Sequence, residues 1–295
     1  MSDYIIKATN IRKYFGGVKA LDGVSLEIKK GEIHCLAGEN GCGKSTIINI
    51  ISGFYTPDDG IIEIDGQQYD HMTPQLAIAS GIQVIYQDLS LFPNLTVREN
   101  LALNMEVAAG RKFVNKKRMN RIAEAAVAKL GLDIDLDETV ENLTFGMRQM
   151  IAISRALLND AKLIIMDEPT TALTKREVKT LFKLIKQLQG QGIAVLFVSH
   201  KLDEVFEIAE RFTIFRNGKN VATGNTKDLN QDKFTFYMTG REIVSPRFEY
   251  TAENAPVVLE VKNLSLANGF KDVSFELKKG EIVGIAGLMG TGRTE

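Results

Sequence analysis

Short apolar runs alternate with amphipathic stretches through most of the chain. "EIHCLA" (Glu32 to Ala37), "IQVIY" (Ile82 to Tyr86), "KLIIM" (Lys162 to Met166) and "IAVLFVS" (Ile193 to Ser199) are rich in Ile, Leu and Val. Such runs predict parallel strands buried on both faces. Helical patterns follow them: "KSTIINIISG", "TKREVKTLFKLIKQLQ" and "KLDEVFEIAE". The alternation predicts an α/β sheet whose ligand-binding loops lie at the strand C-termini. Ahead of it, "IIKATNIRKYF", "VSLEI" and "GIIEIDG" predict an antiparallel accessory sheet. From about residue 88 to 160 the strand signal fades. "RMNRIAEAAVAKLGL" and "FGMRQMIAISRALLND" predict a helical subdomain inserted before "KLIIM".

One stretch occurs twice. "VSLEIKKGEIHCLAGENGCGKST" (Val24 to Thr46) returns without gaps as "VSFELKKGEIVGIAGLMGTGRTE" (Val273 to Glu295). Just upstream the second copy is shorter and has no equivalent of "YFGG". A repeat of this length marks a repeated structural unit. The first unit is expected over residues 1–244. Residues 245–256, charged and holding two prolines, are expected to form a linker. A second unit opens at Val257, and the expectation is a truncated start, a remnant strand and loop without a sheet of its own.

Composition changes this picture little. Of 295 residues, 44% are hydrophobic and 25% charged, which is ordinary for a globular chain. The net charge of -1 leaves no general basic field for nucleic acid. The cluster "NKKRMNR" (Asn115 to Arg121) reads as a solvated helix face. Cys35 and Cys42 have no metal-ligand spacing and suggest no disulfide framework, as in a reducing compartment. The N-terminal residues lack the pattern of a signal peptide, and no apolar run approaches the roughly 20 residues of a membrane span.

"GENGCGKST" carries the first chemistry. A strand precedes it and a helix follows, the setting of a phosphate-binding loop. Gly38, Gly41 and Gly43 let the backbone curl so that N–H groups, that of Asn40 among them, face phosphate oxygens. Lys44 is placed to reach the β- and γ-phosphates, and the Ser45 hydroxyl to ligate Mg²⁺, with Thr46 beside it. "LIIMDEP" (Leu163 to Pro169) is an apolar strand ending in two carboxylates. Asp167 is read as the residue that holds Mg²⁺ through water, and Glu168 as the one that orients or deprotonates the attacking water.

With these motifs the first unit resembles the ATP-binding-cassette ATPases. "LTFGMRQ" (Leu143 to Gln149) stands where that family has its signature, His200 at its switch histidine and Gln87, after the strand "IQVIY", at its Q-loop glutamine. The resemblance implies a P-loop NTPase core with an antiparallel β accessory sheet and an inserted helical subdomain. It implies ATP and Mg²⁺, with Ser45, Gln87 and Asp167 at the metal. Glu168, His200, Gln87 and Lys44 then carry hydrolysis. Thr144 and Gly146 of the signature contact nucleotide. Phe15 stacks on adenine, with Tyr14 as its rival. "DEPTTALT" and "VSHKLDEVFEIAERFTIFRNGK" are similar to the monosaccharide-importer ATPases, tandem-cassette chains whose second loop typically ends "GRTE".

That resemblance implies permease subunits in the membrane as partners, contacted near Gln87 to Asn100. A periplasmic or extracellular sugar-binding protein is an indirect partner, and the location is peripheral, on the cytoplasmic face. In the family each ATP lies between one cassette's phosphate loop and the other's signature. Arg293 replaces the compact charge of Lys44, and Glu295 puts a carboxylate near phosphate. The expectation is two unequal sites: hydrolysis at the Lys44 loop, weak or structural binding at the Arg293 loop. Cys42 reads as a small filler, or as a thiol through which alkylation blocks the loop. A ribosome-acting tandem cassette is disfavoured by Arg293 and the short linker.

Overall fold

The computed structural model describes residues 2–108, 110, 113, 115–242, 254–267 and 269–286. The chain divides into two compact units, Met1–Ile243 and Val244–Glu295.

In the first unit a six-stranded sheet runs through the core. It contains β3 (Ile33–Gly38), β6 (Ile82–Ile85), β7 (Leu163–Asp167), β8 (Ala194–Val198), β9 (Arg211–Arg216) and β10 (Lys219–Asn225), in the order β10-β9-β3-β8-β7-β6. All neighbours are parallel except the edge hairpin β9–β10. Every residue of β3 and β8 is buried, as continuous apolar runs covered on both faces require. Alternate side chains serve opposite faces. Leu36, Leu196 and Val198 join one cluster with Ile47, Ile48 and Ile51 of α1 (Lys44–Ile51). Ile33, Val195 and Phe197 join another with Leu181 and Ile185 of α6 (Lys175–Gly190) and Ile153 of α5 (Phe145–Leu157). Each such Leu or Ile side chain contributes about 1.5–3 kcal/mol on burial.

The accessory sheet is antiparallel, as expected. It comprises β1 (Tyr4–Phe15), β2 (Val18–Lys29), β4 (Asp59–Ile64) and β5 (Gln67–Tyr69), in the order β2-β1-β4-β5. Between core strands lie α2 (Pro74–Ala79), α3 (Val97–Ala108) and α4 (Lys116–Leu130). Val97, Leu101, Ala123, Ala126 and Ile151 give the α3, α4 and α5 group a small core of its own. In "NKKRMNR", Lys116 and Lys117 are exposed, but Arg118 grips the buried Glu106 on α3 with two N–H groups and Met119 is buried. The face is therefore only partly solvated. On the far side, α7 (Leu202–Ile208) and α8 (Gln231–Thr239) cover β9 and β3 through Val205, Phe234 and Met238.

In the second unit, β11 (Val257–Leu264) and β12 (Val273–Lys278) form an antiparallel pair. The remnant thus has a small sheet of its own, contrary to expectation, because its pairing is local and needs nothing else. The proposed linker lies mostly outside the described residues, as do the second phosphate loop, Arg293 and Glu295.

Candidate functional site

Parallel strands with one direction deliver their C-terminal ends to one edge. Gly38, Ile85, Asp167 and Val198 all end there, so the loops holding Lys44, Gln87, Glu168 and His200 leave the sheet together. Between them opens a cavity of about 710 Å³. Asn40, Gly41, Gly43, Lys44, Ser45, Thr46, Gln87, Asp167 and Glu168 are among its lining residues.

The phosphate loop has the shape its glycines predict. Gly43 caps α1 at φ 108°, a conformation hostile to side chains. A Cβ there would lie 2.6 Å from Leu21 and 2.7 Å from the Ala20 carbonyl. Lys44 is 6% exposed. Its ammonium donates to the carbonyls of Gly38 at 2.7 Å and Glu39 at 3.0 Å, folding over the loop interior. Cys42 is buried, its Sγ 4.0 Å from Lys44 Nζ. Burial pushes the thiol up from its ordinary range, against the pull of Lys44. A buried, protonated thiol suits the filler reading.

Asp167 ends β7 beside Ser45. Burial and the adjacent Glu168 carboxylate push its carboxyl up, while Lys44 and a hydrogen bond from Ser45 pull it down. Two neighbouring carboxylates, a serine hydroxyl and the Gln87 amide form an oxygen-rich set that fits Mg²⁺. Glu168 follows at φ 46°, left-handed backbone that costs a non-glycine residue about 1–3 kcal/mol. Its N–H donates to the Val198 carbonyl at 3.1 Å, fixing it to the neighbouring strand end. Its Oε1 stands 3.1 Å from His200 Nδ1, and a carboxylate there can only accept.

Phe15 sits at the tip of the β1–β2 hairpin, opposite Val18 and edge-on to Tyr55 at 5.2 Å. The cavity wall on that side is Val18, Lys19 and Ala20 rather than the Phe15 ring. The Tyr14 ring lies under Lys19, 5.9 Å away. Thr144 and Gly146 are not part of this cavity. Thr144 caps α5, its Oγ1 accepting from the Met147 N–H at 3.3 Å. Gly146 lies against Glu177, whose Oε1 would be 2.6 Å from any Cβ there.

Sequence reasoning missed Asn217 and Gly218, which also line the cavity. They form the β9–β10 turn, both at positive φ. Gly218 N–H donates to the Cys42 carbonyl at 3.2 Å, and Asp22 N–H donates to the Gly218 carbonyl at 2.8 Å. The turn therefore ties the phosphate loop to the accessory sheet. An Asn-Gly pair between two apolar runs is a hairpin signal, but nothing local says what the turn touches.

Comparison with known proteins identifies the family. The ABC transporter family model matches residues 21–171, about half of the chain, and the chain belongs to that family. Over 98% of its length it is 43% identical to the ribose import ATP-binding protein RbsA of Bacillus licheniformis, covering 59% of that protein. Over 99% it is 41% identical to a putative ribose/galactose/methyl galactoside import ATP-binding protein of Rhizobium etli, covering 57%. The chain thus spans a little over half the length of these relatives. Its fold matches the ADP conformation of MJ1267, an ATP-binding cassette of an ABC transporter. The TM-score is 0.69 at 29% identity, covering 80% of this chain and 94% of that one. It also matches cbiO1 of Clostridium perfringens, part of the transporter complex cbiONQ, with TM-score 0.68 at 26% identity, covering 80% and 94%.

Proposed function

We propose that residues 1–244 are an ATP-hydrolysing cassette of an importer for a monosaccharide or a related small sugar. The observation that carries this reading is the Glu168–His200 pair, 3.1 Å apart, beside the cavity that Lys44, Ser45, Gln87 and Asp167 line. Lys44 and the loop N–H groups bind the triphosphate. Glu168 orients the attacking water and takes its proton, with His200 holding the carboxylate in place. Mg²⁺, held by Ser45, Asp167 and Gln87, would neutralise charge on the phosphates. Among the described residues no helix is long and apolar enough to cross a membrane, so transport requires partner subunits that do. Permease subunits docking near Gln87 to Asn100 and a sugar-binding protein on the opposite side fit this role. The importer names of the relatives support the sugar assignment. The chain then works at the cytoplasmic face, its Lys44 site completed by a second cassette, while the Arg293 loop serves a weaker site.

The test is Glu168→Gln in the assembled transporter. Binding of a fluorescent ATP analogue should persist, while phosphate release falls on the order of 10²-fold or more. Turnover within a few-fold of the unaltered protein would refute the assignment of Glu168.

A further inference from the structure

Leu89 and Ser90 follow Gln87 by two and three positions, and both have left-handed backbone, at φ 60° and 45°. Two successive non-glycine residues in that region form a strained turn, and Leu has no polar group to compensate. Ser90 has some local support: its N–H and its hydroxyl both donate to Asp88 Oδ1 at 3.1 Å. Leu89 is 5% exposed, seated in the core that α5 and α6 share.

One side chain holds both carbonyls of the turn. Arg155, on α5, donates from one terminal nitrogen to the Ser90 carbonyl at 2.9 Å and from the other to the Leu89 carbonyl at 3.2 Å. Burial lowers its tendency to stay charged, so these oxygens partly replace the water it has lost. The planar guanidinium fixes the spacing of the two acceptors in a way an ammonium does not. Beyond the turn, the buried Asn100 exchanges hydrogen bonds with Phe92, accepting from its N–H at 2.8 Å and donating to its carbonyl at 2.9 Å. Residues 87–92 are thus a short strap fastened to the end of β6, to α5 and to α3.

We propose that Arg155 is a positioning residue that clamps the strained Leu89–Ser90 turn and so keeps Gln87 in the wall of the nucleotide cavity. The same helix carries Thr144 and Gly146 at its N-terminus, so a shift of α5 moves Gln87 with it. This inference rests on the ATP-cassette reading for its functional consequence, but the clamp itself can be measured without nucleotide.

The experiment is hydrogen exchange of the segment 87–92 in the full chain, beside thermal melting and binding of a fluorescent ATP analogue. Arg155→Ala should speed exchange in this segment at least about ten-fold with little change in the core strands. ATP binding should stay within about two-fold, because the Lys44 loop is untouched, while phosphate release in the assembled transporter falls. Ser90→Gly removes strain at φ 45°, and in its background the effect of Arg155→Ala on exchange should shrink to about three-fold. Should Arg155→Ala not fold, Arg155→Lys, which keeps the charge but loses the fork, should show the same local pattern at smaller size. Unchanged exchange at 87–92, a uniform rise across the chain, or no coupling to Ser90→Gly would overturn the proposal. If the unaltered chain fails to bind ATP, the cassette reading falls while the exchange result still judges the clamp.

Discussion

The two copies of "KKGEI" are alike locally and unlike in everything that depends on neighbours. In the first, the Lys29 N–H donates to Glu32 Oε2 at 2.7 Å; in the second, the Lys278 N–H donates to Glu281 Oε2 at 2.8 Å. Upstream, the N–H groups of Asn10 and Asn263 donate to Ser25 and Ser274 at 3.0 and 2.9 Å, and both Asn residues sit at φ 52°. The copies then part. Ile33 to Gly38 form a fully buried strand between β8 and β9. Their counterparts from Ile282 to Ala286 form no strand, and Ile282 and Ile285 are 75% and 67% exposed. An antiparallel hairpin carries its partner in adjacent sequence. A parallel strand must be met by elements from far along the chain, and among the described residues of the second unit none flanks this segment.

Hydrogen exchange puts the largest number on that contrast. Amides of Cys35 to Ala37 should exchange only through global opening, about 10⁴-fold or more slower than those of residues 282–286. Comparable rates would mean that the second segment is structured too. At the level of chemistry, Lys44→Ala should cost on the order of 10²–10³ in phosphate release. Arg293→Ala should stay within a few-fold, since Arg does not reproduce the compact ammonium of the loop lysine; equal losses would break the inequality of the two loops. In the cores, Ile28→Ala, at a fully buried position, should destabilise the first unit by about 2–5 kcal/mol in urea unfolding. Leu277→Ala, its partly exposed counterpart, should leave that transition unchanged.

The smallest effect concerns Glu32, whose carboxylate meets His34 and Arg211 as well as the Lys29 N–H. His34 Nδ1 lies 2.7 Å from Glu32 Oε1, and Arg211 reaches both carboxylate oxygens at 3.2 Å, whereas Val283 replaces the histidine in the second copy. Burial alone raises the Glu32 carboxyl, but the His34, Lys29 and Arg211 contacts outweigh it and hold it below its ordinary 4.5. A depressed carboxylate stabilises the fold above its unfolded value and loses that contribution as pH falls through the folded one. Glu32→Gln should therefore cost about 1–3 kcal/mol at neutral pH, with the gap narrowing below about pH 4.5. Glu281→Gln should cost under about 0.5 kcal/mol.

The pattern of apolar positions was enough to place the core strands β3, β6, β7 and β8, the accessory sheet and the helices α1, α4, α5, α6 and α7. Six-residue α2 carried too few turns to show periodicity, α8 buries only Phe234 and Met238 and so shows little of a repeating apolar stripe, and β9 was legible only through the family phrase around it. The residues of the cavity were readable where chemistry and spacing fall in one stretch, as in Lys44–Ser45 and Asp167–Glu168. Asn217, Gly218 and Arg155 were not, because their roles come from contacts with residues far away in sequence. For Gly146, the sequence shows a glycine in a signature; only the packed structure shows the Glu177 side chain that would have to shift to admit a Cβ there.

The hydrogen bond from Gly218 to the Cys42 carbonyl also sets an order of events during synthesis. The phosphate loop leaves the ribosome early, but its last fastening is translated roughly 170 residues later. At about 5–20 residues per second, the nascent chain spends on the order of ten to thirty seconds with its loop formed in sequence but not yet braced. Bracing of the loop is thus a late, post-emergence event, and a stall before residue 218 would leave a ribosome-bound chain with every loop residue present and a loop that still lacks its brace.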